Sequence, residues 1–132
     1  MDRQRLERQF AFILEADKEK SVMRQKLLSN GMEHENDDDH AWHMAQMNLL
    51  LSEYAKEKID VLRTVGMILI HDIVEIDAGD TYAYDEQGQT TQRDRELKAA
   101  DRLYNLLPPD QAAKLRGWWD EFEEGKTPEA RF

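Results

Sequence analysis

Apolar residues recur at helical spacing along most of the chain. From about Arg3 to Glu15, Leu6, Phe10, Ile13 and Leu14 fall three or four residues apart, the period of a helix with one buried stripe. After the charged break Asp17-Lys18-Glu19-Lys20, the segment Ser21 to Leu28 continues with Val22, Lys26 and Leu27, so the chain opens on two helices or one bent helix. Ser29-Asn30-Gly31 reads as a turn, because Asn and Gly accept the positive φ that ends a helix, and a polar connection runs on to Glu35. Asn36 is a good N-cap with Asp37, Asp38 and Asp39 in the first turn, and Trp42, Met47, Leu50, Leu51 and Tyr54 predict a long amphipathic helix behind it. Asp60 caps the next. There Val61, Leu62, Val65, Ile68, Leu69, Ile70, Ile73, Val74 and Ile76 give an almost all-round apolar surface, so the spacing predicts a central, buried helix.

Periodicity fails from Asp77 to about Thr91, which predicts a long loop of the kind that tends to be functional or mobile. A helix from about Gln92 to Leu107 follows, with Leu97, Ala100, Leu103, Tyr104 and Leu107 on its apolar face; Pro108-Pro109 ends it. Asp110 to Glu124 forms a further helix before Gly125, and Thr127-Pro128-Glu129 has the cap, proline and early acid with which helices begin. Either another helix follows that start, or the short segment docks without one. No internal repeat or low-complexity segment is present.

Composition narrows the class. The chain has 132 residues, 40% of them apolar, enough for one core and too few for a second. Only 6 Gly and 3 Pro stand among many good helix formers, which makes all-α the expected class. Acidic residues outnumber basic ones by 28 to 18, a net charge of −10 that repels nucleic-acid polymers and anionic lipid. A small phosphate compound is still compatible with that charge if a metal or a local Arg supplies the positive field. The chain has no Cys, so a metal would be held by His and carboxylate. The charged start Met1-Asp2-Arg3-Gln4-Arg5 is followed by no apolar run of signal or membrane-spanning length, and a cytoplasmic location is expected.

The chemistry concentrates in two places. His40 and His43 lie three apart on one helix, a spacing that suits either shared ligation or neighbouring packing, and His43 beside Trp42 reads as packing. His71-Asp72 is the stronger signal, because it interrupts the most apolar helix in the chain, and buried ionisable groups need a partner or a metal. Glu75, four residues after His71 and three after Asp72, is expected along the same side of that helix as both. A metal held by His and Asp, with a carboxylate alongside to move protons, meets the needs of water activation. The bland alternatives are a buried pair with protein partners and, for Glu75, a salt bridge to Arg24 or another basic residue.

The stretch Glu35-Asn36-Asp37-Asp38-Asp39-His40, followed by His71-Asp72-Ile73-Val74-Glu75-Ile76-Asp77-Ala78-Gly79-Asp80, resembles the HD-domain superfamily of metal-dependent phosphohydrolases. More narrowly it resembles the branch containing the 5'-deoxynucleotidases, and the resemblance runs from about Arg24 to the end. It implies a compact helical bundle of about five to six helices and one divalent metal ion, which could be Mn, Co, Fe, Ni, Zn or Mg. It further implies His40, His71 and Asp72 as metal ligands, Glu75 as the general acid/base, Arg24 as a phosphate anchor and Asp80 near the substrate. The family pattern ends with a further Asp ligand on a helix that would begin after Phe132; Asp101 comes too early to match it. Residues 1–132 are accordingly expected to form a single HD-type domain without that last helix.

The function so implied is hydrolysis of phosphate monoesters, with nucleoside 5'-monophosphates as the substrate class. The alternative is a catalytically impaired HD-like protein that binds nucleotide or a protein partner. A di-metal carboxylate bundle lacks the paired Glu-x-x-His motifs it would need. Trp118, Trp119 and Phe122 are more large apolar residues than one surface should leave exposed, and a homodimer is expected from them.

Overall fold

The computed structural model describes residues 2–27, 34–78 and 86–132, with side chains at 2–22, 36, 38–78 and 92–132. The architecture is helical: α1 (Arg3–Ala16), α2 (Asp37–Leu51), α3 (Val61–His71), α4 (Glu75–Ala78), α5 (Glu86–Tyr104), α6 (Pro109–Glu124) and α7 (Pro128–Arg131). Five are long and α4 and α7 are single turns, in keeping with the expected all-α bundle. The predicted caps form as read. Asn36, Asp60 and Thr127 each accept a backbone N–H with their side chains, as does Asp2, a cap not singled out in the sequence, and α6 ends on Gly125 at φ 63°, where a left-handed residue takes up the Glu121 carbonyl.

The central helix α3 packs against α2 on one side and α6 on the other, while α4 and α6 both rest on α5. The core joins Phe12 of α1, Ile70, Ile73 and Val74 around the end of α3, Ala99, Ala100, Leu103 and Tyr104 of α5, and Trp119 of α6. Ala99 and Ala100 let the backbones approach closely, which is why the turn between α3 and α4 can lie flat on α5. Trp119 is fully buried, with the Arg93 and Arg116 guanidinium groups 5.4 and 5.2 Å from its ring.

Three sequence expectations are corrected. Residues Met23–Leu27 do not extend the opening helix; they form strand β1, paired antiparallel with β2 (His34–Asn36) after a 3₁₀ turn over Asp17–Ser21. Four apolar residues in eight, set as two adjacent pairs, cannot separate helix from strand, and the cross-strand partner lies several residues downstream. The single helix predicted from Asp60 through Ile76 is broken after His71. The Ile70 carbonyl, which an unbroken helix would offer to Val74, accepts instead from the Tyr104 hydroxyl at 2.7 Å and from Ile73 N at 3.2 Å. Helix α5 begins at Glu86, inside the segment predicted to be a loop. Its first turns are polar throughout, and a solvated helical lead-in needs no apolar period.

The one-turn helix α7 docks on α3 and α6. Thr127 Oγ1 and the Arg63 guanidinium share Glu121, at 2.6 Å each to Oε2, while Glu129 accepts from the Asp60 backbone N at 3.0 Å. Of the aromatic residues from which a dimer is expected, Trp119 is internal, Trp118 is half-buried and Phe122 packs against His71. The large exposed apolar residues lie instead mainly on α1, α2 and α3. No helix among the described residues is long and apolar enough to cross a membrane.

The α3–α6 crossing depends on Gly66, where an added Cβ would lie 2.5 Å from Cζ3 of Trp118. Gly66→Ala gains up to about 1 kcal/mol in helix propensity but loses about 1–3 kcal/mol to overpacking. Chemical denaturation should therefore show a net loss of stability; a stabilised variant would mean that Trp118 swings away freely.

Candidate metal centre

The end of a helix is where backbone carbonyls lose their partners, and α3 ends with its last carbonyls in use by side chains. His71 sits in this last turn, 7% exposed, and its Nδ1 is 2.6 Å from the Ile68 carbonyl oxygen. A carbonyl only accepts, so Nδ1 carries the hydrogen. The lone pair of the neutral ring is then on Nε2, which is 3.1 Å from Oδ1 of Asp72. Phe122 packs against the imidazole with ring centroids 4.5 Å apart and closes its other side.

Asp72, the C-cap of α3, is 6% exposed. His40 reaches the same place from the first turn of α2, its ring centroid 6.2 Å from that of His71. One ligand atom from each of His40, His71 and Asp72 falls within 4.8 Å of the other two. Two imidazoles and one carboxylate at that spacing fit a divalent cation with open positions, and the Ile68 carbonyl supplies the outer hydrogen bond that orients a ligating histidine.

Burial, the largest single influence, works against a charged His71. The Asp72 hydrogen bond and charge, the Ile68 carbonyl and the field of Glu19 together outweigh it, so the imidazole's pKa stands above its ordinary value. The pocket therefore favours positive charge on Nε2, whether a proton or a cation supplies it.

Glu75 opens α4, half-buried, and its backbone N donates to the Asp72 carbonyl at 3.0 Å. The expectation that His71, Asp72 and Glu75 line one helix is thus replaced by a tight turn linking two. The Arg102 guanidinium grips Asp77 through two bonds of 2.6 and 2.7 Å and also bonds Glu15 at 2.7 Å, which pins α4 to α5 and to the end of α1. His43 is exposed, with its ring 6.4 Å from that of Trp42, and stands outside the donor cluster. Arg24 is in β1, but its side chain lies outside the described residues, as does the whole of Asp80.

Sequence reasoning missed Glu19, a buried carboxylate on the 3₁₀ turn that packs against α2 and α4. It stands in a run of charges, and nothing in that run marks one as internal. Phe122 as the wall behind His71 was also missed. Its helical spacing identified it as apolar without saying what it touches.

Comparison with known proteins identifies the family. The family model described as HD domain matches residues 16–132. The 5'-deoxynucleotidase HDDC2 of Bos taurus is 33% identical over 98 residues, which are 74% of this chain and 46% of the bovine protein. The protein of the same name from Dictyostelium discoideum is 30% identical over 118 residues, covering 84% of this chain and 62% of its own. A crystal structure from Magnetospirillum magnetotacticum, described as a predicted metal-dependent phosphohydrolase, superposes with a TM-score of 0.89 at 49% identity. The match covers 97% of this chain and 65% of that one. This chain thus spans about half the length of the bovine relative and about two-thirds of the Magnetospirillum chain. With a family match over nearly its whole length and the helical fold to go with it, the chain belongs to the HD domain family.

Proposed function

We propose that this chain is a metal-dependent phosphohydrolase acting on nucleotides, with nucleoside 5'-monophosphates as substrates. The observation that carries the reading is the convergence of His40, His71 and Asp72 from two helices, with Glu75 one turn beyond Asp72. The relatives' name, 5'-deoxynucleotidase, supports the substrate class, and the neighbour's description supports dependence on a metal. A cation held there supplies positive charge that acidifies a nearby water and shields phosphate oxygens.

The chain's own residues do the rest. His40, His71 and Asp72 hold the cation, and Glu75 takes a proton from the attacking water. As the water oxygen bonds to phosphorus, the bond from phosphorus to the nucleoside oxygen breaks. Glu75 returns the proton to that oxygen, leaving nucleoside and inorganic phosphate. Arg24 is proposed to anchor the phosphate and Asp80 to border the substrate, both on the family resemblance. His and carboxylate donors suit Mn, Fe, Co, Ni or Zn, while Mg prefers oxygen alone.

A mainly apolar groove of about 430 Å³, lined by Met44, Met47, Asn48, Met67, Phe122 and Phe132, lies on the Phe122 side of the centre. A homodimer completes the proposal. The alternative of an impaired binding protein has no comparable observation behind it.

Two variants test the reading. Asp72→Ala should abolish the rise in melting temperature that manganese gives wild type, a stabilisation of about 2.7 kcal/mol when metal is at 100 times its Kd. A structural Asp would instead cost stability equally with manganese and with chelator, and that result would remove the metal centre. Glu75→Gln should keep the metal-dependent shift while losing roughly 10²–10⁴-fold in kcat on nucleoside monophosphates. Hydrolysis that survives both chelator and Glu75→Gln would defeat the mechanism.

A further inference from the structure

We infer that Glu19 balances the charge of the metal centre: its buried carboxylate, outside the ligand set, makes a divalent cation the favoured occupant of the place where His40, His71 and Asp72 meet. Glu19 and Asp72, 5% and 6% exposed, are the two least exposed acids among the described residues. A buried carboxylate gives up its hydration, so each needs positive charge or hydrogen bonds in return. Of the run Asp17-Lys18-Glu19-Lys20, Glu19 alone turns inward. The lysines on either side stay at the surface, where Lys18 bonds Glu15 at 3.0 Å and Lys20 bonds Asp17 at 2.6 Å.

The fold brings this acid to the centre. The 3₁₀ turn that carries it packs against α2, whose first turn holds His40, and against α4, which opens on Glu75. Glu19 is not part of the donor cluster, which consists of His40, His71 and Asp72 among the described residues. Its charge still reaches the end of α3. At His71 burial opposes a positive ring, while Asp72, the Ile68 carbonyl and Glu19 favour it. The Tyr104 phenol, bonded to the Ile70 carbonyl, is pushed up first by burial and then by Glu19, with Asp72 adding to both.

A divalent cation held by two neutral imidazoles and one carboxylate keeps one positive charge uncompensated, and a second buried carboxylate offsets it. With no cation bound, the two carboxylates oppose each other through an interior that screens less than water. The same acid therefore strengthens metal binding and weakens the metal-free protein. Glu75 is unsuited to this part, because in the proposed reaction it gains and loses a proton. Glu19 takes no step in that reaction, so its charge is constant throughout.

The inference rests on the metal centre proposed above, and binding and melting read it without reference to activity. In calorimetric titration of the full chain with manganese, Glu19→Gln should weaken binding roughly 10- to 100-fold. Glu19→Asp should recover part of that loss. Asp17→Asn, which removes an exposed acid from the same run, should bind as wild type does. In chelator, Glu19→Gln should melt no lower than wild type, and Glu19→Met, an apolar side chain of similar length, should melt higher. Wild-type affinity in Glu19→Gln, alongside binding that Asp72→Ala abolishes, would overturn the inference and leave the centre standing. An equal loss of stability in chelator and in manganese would make Glu19 a structural acid, and an equal loss of affinity in Asp17→Asn would assign the effect to the acidic surface; either overturns it. A wild type that binds no manganese would remove the centre and the inference together.

Discussion

The last turn of α3 has to satisfy two demands at once. Helix ends leave carbonyls without backbone partners, and here that end is buried, where water cannot supply them. The protein meets this need with side chains that also build the centre. The Ile68 carbonyl takes the Nδ1 hydrogen of His71, and the Ile70 carbonyl takes the hydroxyl of Tyr104. The first bond fixes the imidazole with Nε2 toward Asp72 and His40; the second helps to stop the helix one residue before Asp72. Had α3 continued, Asp72 and Glu75 would have stayed on a rigid cylinder rather than on a turn folded over α5.

From that turn the requirements spread outward. Ala99 and Ala100 have to be small to receive it, and Tyr104 has to be buried for its hydroxyl to reach Ile70, which also pushes the phenol's pKa up. Arg102, one residue before Leu103 of the core, holds Asp77 and Glu15, so α4 and the end of α1 are tied to α5 by the same guanidinium. Helix α6 contributes Phe122 as the wall behind His71, and Trp119 beneath it fills the core between Arg93 and Arg116. The polar centre is therefore held by elements whose main energetic role is apolar packing.

The electrostatics follow the same division. An acidic chain gathers carboxylates around His71, with Asp72 in contact and Glu19 nearby, and their combined field makes positive charge favourable at the imidazole despite its burial. A cation at this centre would supply a local positive field that the chain's net charge of −10 does not. The two readings of charge, global and local, are compatible because the interior screens less than water does.

By itself the sequence determined the helical class, the N-caps Asn36, Asp60 and Thr127, the stop at Pro108-Pro109 and the placing of the ionisable doublet His71-Asp72 in a buried apolar run. It did so because caps, proline geometry and ionisable residues in an apolar run are local features with local physical causes. His40 was also legible, through the family pattern, and its approach to His71 across thirty-one residues is what the fold then accomplished. Tertiary structure alone decided the rest. It paired β1 with β2, broke α3 at His71, buried Glu19 out of a run of charges, and turned Trp119 inward while leaving α1 and α2 apolar on the outside. Each of these depends on a partner distant in sequence, a strand, a hydroxyl or a neighbouring helix, and no local period carries the identity of such a partner.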